Sequence, residues 1–226
     1  MSRSRAGVDL AITASGTRVA VAARGDDGAI VAHAAPAARG GADTAQLVAR
    51  AVADLGATPA DLRSIGIDRG PGSYTGLRVA LTFARTIGAF RGVALRTCTS
   101  MELLALRAWR AGEVARTRAI TIVLDARREH FHVARCAWRA DRVVLESFPV
   151  ALRVERALAT LDGASDVVAA ASLHPILAGR IAKTGAALHA VPELDATLLF
   201  DHALELADVV PEAVEPLYLL ASYAEA

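Results

Sequence analysis

The chain has 226 residues, a hydrophobic fraction of 54% and a net charge of +1 from 25 basic and 24 acidic side chains. This length allows one large domain or two small ones, and either can bury a real core. The near-neutral, intermixed charge argues against a chain that grips nucleic acid strongly by itself, because phosphate binding relies on concentrated positive charge.

The cysteine pattern and the hydropathy together predict a cytoplasmic protein with no membrane partner. Cys98 and Cys136 are far apart and lack CxxC spacing, which favours reduced thiols over a disulfide frame. The first residues are basic, but Asp9 interrupts the apolar run after them, so we expect no secretion signal. No apolar stretch reaches the ~20 residues that a membrane span needs.

The first third of the chain predicts three strands followed by helices. Residues 7–12, 17–23 and 29–34 are rich in Val and Ile and are separated by glycine-containing turns, which favours an antiparallel meander. Asp43 and Gln46 then indicate a helix start, and Thr58-Pro59 indicates another. The apolar face of the first of these helices includes Leu47, Val48 and Ala51.

The stretch at residues 64–81 changes from strand to glycine-rich loop to helix within a few residues. Residues 64–68 suit a strand, residues 70–72 cannot continue it, and a helix follows over 76–90. Two interpretations of the loop stay open. Its backbone amides could hold a phosphate at the helix N-terminus, through Gly70, Gly72, Ser73 and Thr75, or its glycines could simply make a tight turn.

Small residues recur every four positions along the predicted helix, at Gly76, Ala80, Ala84 and Gly88. Such a ridge is nearly bare of side chains and lets another element approach closely, so it predicts a docking face, internal or external. Arg78 and Arg85 share a different face of the same helix, because they are seven residues apart. Either solvent or an acidic partner would explain these two cations.

The second half repeats this order. Thr99 and Glu102 predict a capping box. We then expect strands at residues 119–125, 129–138 and 142–150, a helix at 154–161, a strand at 166–170, a helix at 173–183, a strand at 188–191, a helix at 196–209 ended by Pro211, and a final segment at 215–223. We place two domains at residues 1–98 and 99–226, with the tail packing back on the first.

Three separated motifs resemble the TsaB (YeaZ) family, the bacterial partner subunit in making threonylcarbamoyladenosine on tRNA. Residues 70–78, Gly-Pro-Gly-Ser-Tyr-Thr-Gly-Leu-Arg, resemble its GPGSFTGLR signature. Residues 124–134 resemble its "DAR…EVY.A" hairpin, and residues 214–219 resemble its "EPVYLR" tail. Because these motifs lie far apart in the sequence, the resemblance spans the chain.

The resemblance implies an α/β fold of the duplicated actin-like (ASKHA, ribonuclease H-like) type, with two half-domains that each contain a mixed sheet and helices. It also implies a non-catalytic subunit that supports TsaD. That enzyme transfers the threonylcarbamoyl group to N6 of adenosine 37 in tRNAs that read ANN codons. TsaE joins the assembly and TsaC supplies the adenylate, while tRNA is contacted only indirectly.

For the docking site, the resemblance implies a four-helix seam with TsaD, or with a second copy of the chain when TsaD is absent. The expected partner-binding residues lie on the two N-terminal helices: Leu47, Val48, Ala51, Gly76, Leu77, Ala80, Leu81, Ala84, Ile87 and Gly88. We expect no catalytic residue, no metal and no resident cofactor. A nucleotide at the seam would be sought at residues 70–75.

The first hairpin and the histidines bear on whether the chain is itself an enzyme. Actin-like kinases bind phosphate at a hairpin that we match to residues 8–16, where Leu10 replaces a threonine common in relatives and weakens the case for a nucleotide at Asp9. TsaD holds a metal through an HxxxH pair, which this sequence lacks. His130 and His132 share a strand face without an evident third ligand, which favours an ordinary polar face.

Two other functions remain open. One is a stand-alone actin-like phosphotransferase or hydrolase, such as an ATPase or a glycopeptidase-like enzyme, and the other is a structural homodimer. The charged residues beside the motifs are also ambiguous. These residues are Asp68, Arg69, Asp125 and Arg127. Either they anchor the interface with a partner, or they form charge pairs that fix local turns.

Overall fold

The computed structural model describes residues 7–37, 43–127, 129–163 and 165–219. Twelve strands lie in this part of the chain: β1 (Val8–Thr13), β2 (Arg18–Gly25), β3 (Ile30–Pro36), β4 (Leu62–Asp68), β5 (Ala94–Cys98), β6 (Ile120–Arg127), β7 (His130–Arg139), β8 (Arg142–Leu145), β9 (Val150–Arg153), β10 (Asp166–Ala170), β11 (Ala187–Val191) and β12 (Ala207–Val209). The α-helices of the same part are α1 (Asp43–Asp54), α2 (Tyr74–Arg91), α3 (Ser100–Ala111), α4 (Val154–Leu158) and α5 (Pro175–Ala182).

The strands form two mixed sheets. The first has the order β12-β5-β4-β1-β2-β3, with an antiparallel β1–β2–β3 meander and with β4 and β5 added in parallel. The second has the order β11-β10-β6-β7-β8, and β9 also pairs with β7. Two mixed sheets with helices confirm the predicted α/β class and its duplicated arrangement.

Alternating side chains on the strands divide the core into layers. On β1, Leu10 and Ile12 pack with α1 and α2, while Ala11 belongs to the cluster around α3. Helix α3 is buried because it lies between the two sheets. Its buried apolar residues belong to one cluster with Ala11 of the first sheet and Ile122 of the second. Helices α4 and α5 cover the outer face of the second sheet.

Local signals fix where α2 and α3 begin and end. The Ser73 hydroxyl accepts a hydrogen bond from the Gly76 N–H, and Gly92, with a φ of 65°, ends α2. The predicted capping box of α3 is confirmed, because Thr99 accepts from the Glu102 N–H while the Glu102 carboxylate accepts from the Thr99 N–H.

Three predicted elements differ in part from the structure, and the final segment is predicted without a type. Residues 59–61 make only a single 3₁₀ turn after Thr58. The predicted strand at 142–150 is divided into β8 and β9, which both pair with β7. Asp43 is the first residue of α1 and does not precede it. The last segment, residues 215–219, is irregular, and residues 220–223 of the prediction lie outside the described part.

The predicted helix at 196–209 is wrong. A 3₁₀ helix covers Ala196–Phe200, and β12 then pairs antiparallel with β5. Carboxylates interrupt the helical hydrogen bonds here, since Asp195 accepts from the Thr197 N–H and Asp201 accepts from the Ala203 N–H. Pro211 begins a 3₁₀ turn. In the ranges given above, no helix is long and apolar enough to cross a membrane.

Candidate functional site

The glycine-rich loop between β4 and α2 rests on the turn between β1 and β2. The Ser73 N–H donates to the carbonyl oxygen of Ser15 at 2.7 Å. A Cβ added to Gly72 would lie under 3.0 Å from that same oxygen, and one added to Gly76 would lie under 3.0 Å from the carbonyl oxygen of Ala14. These two glycines are therefore required for the close approach of two backbones.

The same loop also positions the start of α3. The Ser100 N–H donates to the Gly70 carbonyl at 2.9 Å, and the Ser100 hydroxyl donates to the Pro71 carbonyl. The Gly70–Pro71 peptide bond is cis. Because the loop uses its own groups to join the first hairpin, α2 and α3, these contacts favour the tight-turn interpretation. A nucleotide at Gly70, Gly72, Ser73 and Thr75 stays a prediction.

Asp68, at the end of β4, is fully buried and gathers the donors of the β1–β2 turn. Its carboxylate accepts from the Thr13 hydroxyl at 3.0 Å, the Ala14 N–H at 3.3 Å and the Ser15 hydroxyl at 2.5 Å. Burial raises the pKa of Asp68, and these donors act in the opposite direction. Asp68 therefore fixes a local turn, the second of the two interpretations offered by the sequence.

A second carboxylate closes the turn from the other half of the molecule. Glu193 follows β11, and its Oε2 accepts from the Thr17 N–H at 3.4 Å. The same oxygen lies 2.5 Å from the position that a Cβ of Gly16 would take. Its other oxygen, Oε1, is buried without a hydrogen-bond partner among the described residues. Glu193 therefore stands where an incoming anion would approach this turn.

The β1–β2 turn consequently does not fit a phosphate group. Its donors at Thr13, Ala14 and Ser15 bond to Asp68, and its Thr17 amide faces Glu193. A phosphate would have to displace two carboxylates of the chain itself, one of them inaccessible to solvent. Sequence reasoning missed the role of Glu193, because 176 residues separate it from Thr17.

The structure corrects the assignment of Asp9 and Leu10 to this turn. Asp9 lies at the opposite end of β1, and Leu10 is a core residue with 0% exposure. Although burial raises the pKa of Asp9, hydrogen bonds from Arg63, Ser64 and Arg24 lower it to about 2. Asp9 therefore belongs to a charge network near the start of β1, a central strand of the first sheet.

The small-residue ridge of α2 faces the inside of the chain. Ala80 and Ala84 are 1% and 0% exposed, and Gly76 and Gly88 are buried. A Cβ on Gly88 would meet Leu95 of β5 and Pro211 at 3.0 Å. Of the two alternatives for this docking face, internal and external, the packing favours the internal one, because the missing side chains let α2 approach its own sheet and the turn at Pro211.

Most of the other expected partner-binding residues are buried with that ridge. Leu77, Leu81, Val48 and Ala51 are at most 4% exposed, and they belong to one cluster with β1, β2 and β4. Leu47 and Ile87 are half-buried at its margin. The spacing of the apolar residues predicted which faces of α1 and α2 are packed, but these faces pack within the chain.

The outward faces of α1 and α2 carry different residues. On α1 the exposed positions include Ala45, Gln46, Ala49 and Arg50. On α2 they are Tyr74, Thr75, Arg78, Thr82, Arg85, Thr86, Ala89, Phe90 and Arg91, of which Phe90 is 85% exposed. The seven-residue spacing of Arg78 and Arg85 was the signal in the sequence for this face.

The tail covers the start of α2. The Leu217 N–H donates to the Arg69 carbonyl at 2.7 Å, and the rings of Tyr74 and Tyr218 lie 5.1 Å apart between centroids. Arg78 donates to the Tyr74 hydroxyl at 2.9 Å. Two of the three sequence motifs, at residues 70–78 and 214–219, are thus in contact.

His130 and His132 both lie on β7. The described residues contain no group of three His, Cys, Asp or Glu side chains that could hold a metal ion. His132 is 8% exposed, and burial lowers its pKa to about 4, against the field of Asp125. The Cys98 and Cys136 thiols are free and buried, and burial raises the pKa of both.

Comparisons with known proteins agree on the relatives of this chain. Residues 42–159, just over half of the chain, match the family model described as TsaD, tRNA N6-adenosine threonylcarbamoyltransferase. A stretch of 52 residues is 38% identical to the tRNA threonylcarbamoyladenosine biosynthesis protein TsaB of Bacillus subtilis (strain 168). That alignment covers 23% of this chain and 23% of the relative, so it spans about a quarter of the curated protein.

Two solved structures from Pseudomonas aeruginosa share the fold over almost the whole chain. One is described as an uncharacterized protein with similarity to peptidase YEAZ, and the other as YeaZ. Each has a TM-score of 0.77 and 21% identity, and they cover 95% and 94% of this chain and 100% of their own. At this identity the likeness establishes a common fold.

Proposed function

We propose that this chain is a non-catalytic subunit in the synthesis of N6-threonylcarbamoyladenosine on tRNA. The chain belongs to the family described by the TsaD model, and within that family to the TsaB (YeaZ) branch. In this role it holds TsaD in its active arrangement on tRNAs that read ANN codons. TsaE joins through the complex, and tRNA is contacted indirectly.

The observation that carries the non-catalytic role is the occupied β1–β2 turn. Phosphotransfer in an actin-like fold needs backbone and hydroxyl donors that are free to meet phosphate oxygens. Here Asp68 takes three of those donors and Glu193 faces the Thr17 amide. The absence of an HxxxH pair from the sequence supports the same conclusion, because that spacing holds the metal in TsaD.

The docking role is supported by the outward face of α1 and α2, which forms one side of the molecule. The half-buried residues Leu47, Val79, Phe83 and Ile87 lie at its base, and Phe90 is 85% exposed. A face with apolar residues amid polar ones is typical of protein interfaces. We place TsaD on this face, and a second copy of the chain on the same face when TsaD is absent.

The test is reconstitution with purified components. TsaD, TsaE, TsaC, tRNA, ATP, threonine and bicarbonate are mixed with and without this chain, and modified adenosine is measured by mass spectrometry. We expect modification only with the chain present. Equal modification without it would overturn the proposed role. ATP turnover by the isolated chain, lost in Thr13→Ala, would instead favour a stand-alone phosphotransferase.

A second test locates the docking face. Thr82→Trp places a bulky group at the centre of the exposed side of α2, and Arg156→Trp makes a matched change on the exposed surface of α4. We expect the first to abolish TsaD binding in pull-downs and calorimetry, and the second to leave it unchanged. Binding that is lost equally in both variants, or in neither, would place TsaD elsewhere.

A further inference from the structure

Helix α2 carries three cations and no anion. Its eighteen residues include Arg78, Arg85 and Arg91 and no Asp or Glu. All three arginines are exposed, and none of them takes part in an ion pair with another residue of the described ranges. Arg78 and Arg85 lie on the same side of the helix, because seven residues make almost two full turns.

The neighbouring helix does not neutralise this charge. On α1, the Asp54 carboxylate already contacts the His33 ring at 2.8 Å and the Arg50 guanidinium at 3.9 Å. Taken together, the sequences of α1 and α2 carry four arginines and two aspartates, a formal net charge of +2, and the turn at Pro211 that packs on α2 adds one carboxylate, Glu212. The chain as a whole has a net charge of only +1.

This asymmetry matters when two surfaces meet. A second copy docked through the same face would bring two sets of unpaired arginines together, and like charges across an interface weaken association. A partner with carboxylates opposite Arg78 and Arg85 would gain attraction and faster encounter. The apolar residues at the base of the face would favour both partners alike, because burial of apolar surface is not specific for charge.

We infer that the basic outward face of α2 selects an acidic protein surface over a second copy of this chain. This inference rests on the proposed function, under which the acidic surface belongs to TsaD. The preference is electrostatic, so salt must act in opposite directions on the two associations. Screening weakens the attraction to an acidic partner and relieves the repulsion between two copies.

The first experiment measures both associations at 50 and 500 mM NaCl. Sedimentation velocity of the isolated chain reports self-association, and calorimetry with purified TsaD reports the heterodimer. We expect the TsaD dissociation constant to rise about tenfold at the higher salt, while the dimeric fraction of the isolated chain rises or stays at zero. A homodimer that is tightest at low salt would overturn the inference.

The second experiment reverses the two charges. Arg78→Glu/Arg85→Glu should weaken TsaD binding at low salt by at least about tenfold and should invert its salt dependence. The matched control is Arg153→Glu/Arg156→Glu, which changes two exposed arginines around the start of α4 without a described ion pair. The control should bind TsaD as the unaltered chain does, and thermal melts of both variants should verify folding.

The possible results separate this inference from the proposed function. If TsaD does not bind the unaltered chain at any salt concentration, both fail. If TsaD binds and supports modification, but the double charge reversal binds as well as the control variant, only the electrostatic selection fails. If TsaD binding is lost only in the Arg78/Arg85 variant and is restored by salt, the result supports both the electrostatic selection and the proposed function.

Discussion

The two sides of α2 differ in the size and the charge of their residues. The inner side, with Gly76, Ala80, Ala84 and Gly88, is sealed against the first sheet and the turn at Pro211. The outer side carries arginines and threonines that the rest of the described chain leaves exposed. The small residues on α2 thus show how closely the chain packs on itself, whereas the arginines of the outer side have no carboxylate partner within the described ranges.

The largest expected effect comes from filling the inner side. Ala84→Trp should destabilise the fold by more than about 3 kcal/mol, because a large ring cannot fit at a position with 0% exposure. Thr82→Trp, two residues away on the outer side, should change the free energy of unfolding by less than about 0.5 kcal/mol. Urea denaturation measures both, and equal losses would show that the two sides do not differ.

Asp68 holds the β1–β2 turn on which the loop before α2 rests. Asp68→Ala should cost about 3 kcal/mol, since three buried donors would lose their acceptor. The control is Asp27→Ala, which removes a single bond from the Ala29 N–H in the exposed β2–β3 turn. Denaturation midpoints of the two variants should differ clearly. A small loss in Asp68→Ala would mean that water replaces the carboxylate.

The contrast between buried and exposed side chains also predicts how stability depends on pH. His132 is buried, and its pKa is lowered to about 4 from a usual value near 6.5. The unfolded chain therefore takes up a proton first as the pH falls. The stability from neutral His132 is complete above pH 6.5 and is lost between pH 6.5 and 4, by about 3 kcal/mol, because each unit of pKa shift corresponds to about 1.4 kcal/mol.

The measurement is the free energy of unfolding as a function of pH in the unaltered chain and in His132→Leu. We expect the difference between the two curves to grow below pH 6.5 and to level off near pH 4. His202→Leu serves as the control, because that ring is 82% exposed. Parallel curves for the unaltered chain and His132→Leu would show that His132 titrates as an exposed histidine does.

The smallest effect on stability belongs to the outer arginines. Arg85→Ala should change the free energy of unfolding by less than about 0.5 kcal/mol, because this guanidinium has no carboxylate partner in the described ranges. The same variant should weaken binding of TsaD at low salt in calorimetry. A large loss of stability would mean that Arg85 supports the fold and is not kept for a partner.

The sequence alone determined the elements whose causes are local. The strand, glycine loop and helix predicted within residues 64–90, the capping box of Thr99 and Glu102, and the antiparallel meander all follow from neighbouring residues that set backbone torsions or satisfy helix ends. Three short motifs sufficed for the family, because they are specific in composition and spacing.

Only the tertiary structure decided what each pattern packs against. A four-residue repeat of small side chains has the same spacing whether its neighbour is another molecule or its own sheet, and here it is the sheet. Glu193 meets Thr17 across 176 residues, and β12 replaces a predicted helix because β5 offers it a strand edge. Such contacts depend on the whole fold, since the residues involved carry no local signal of their partners.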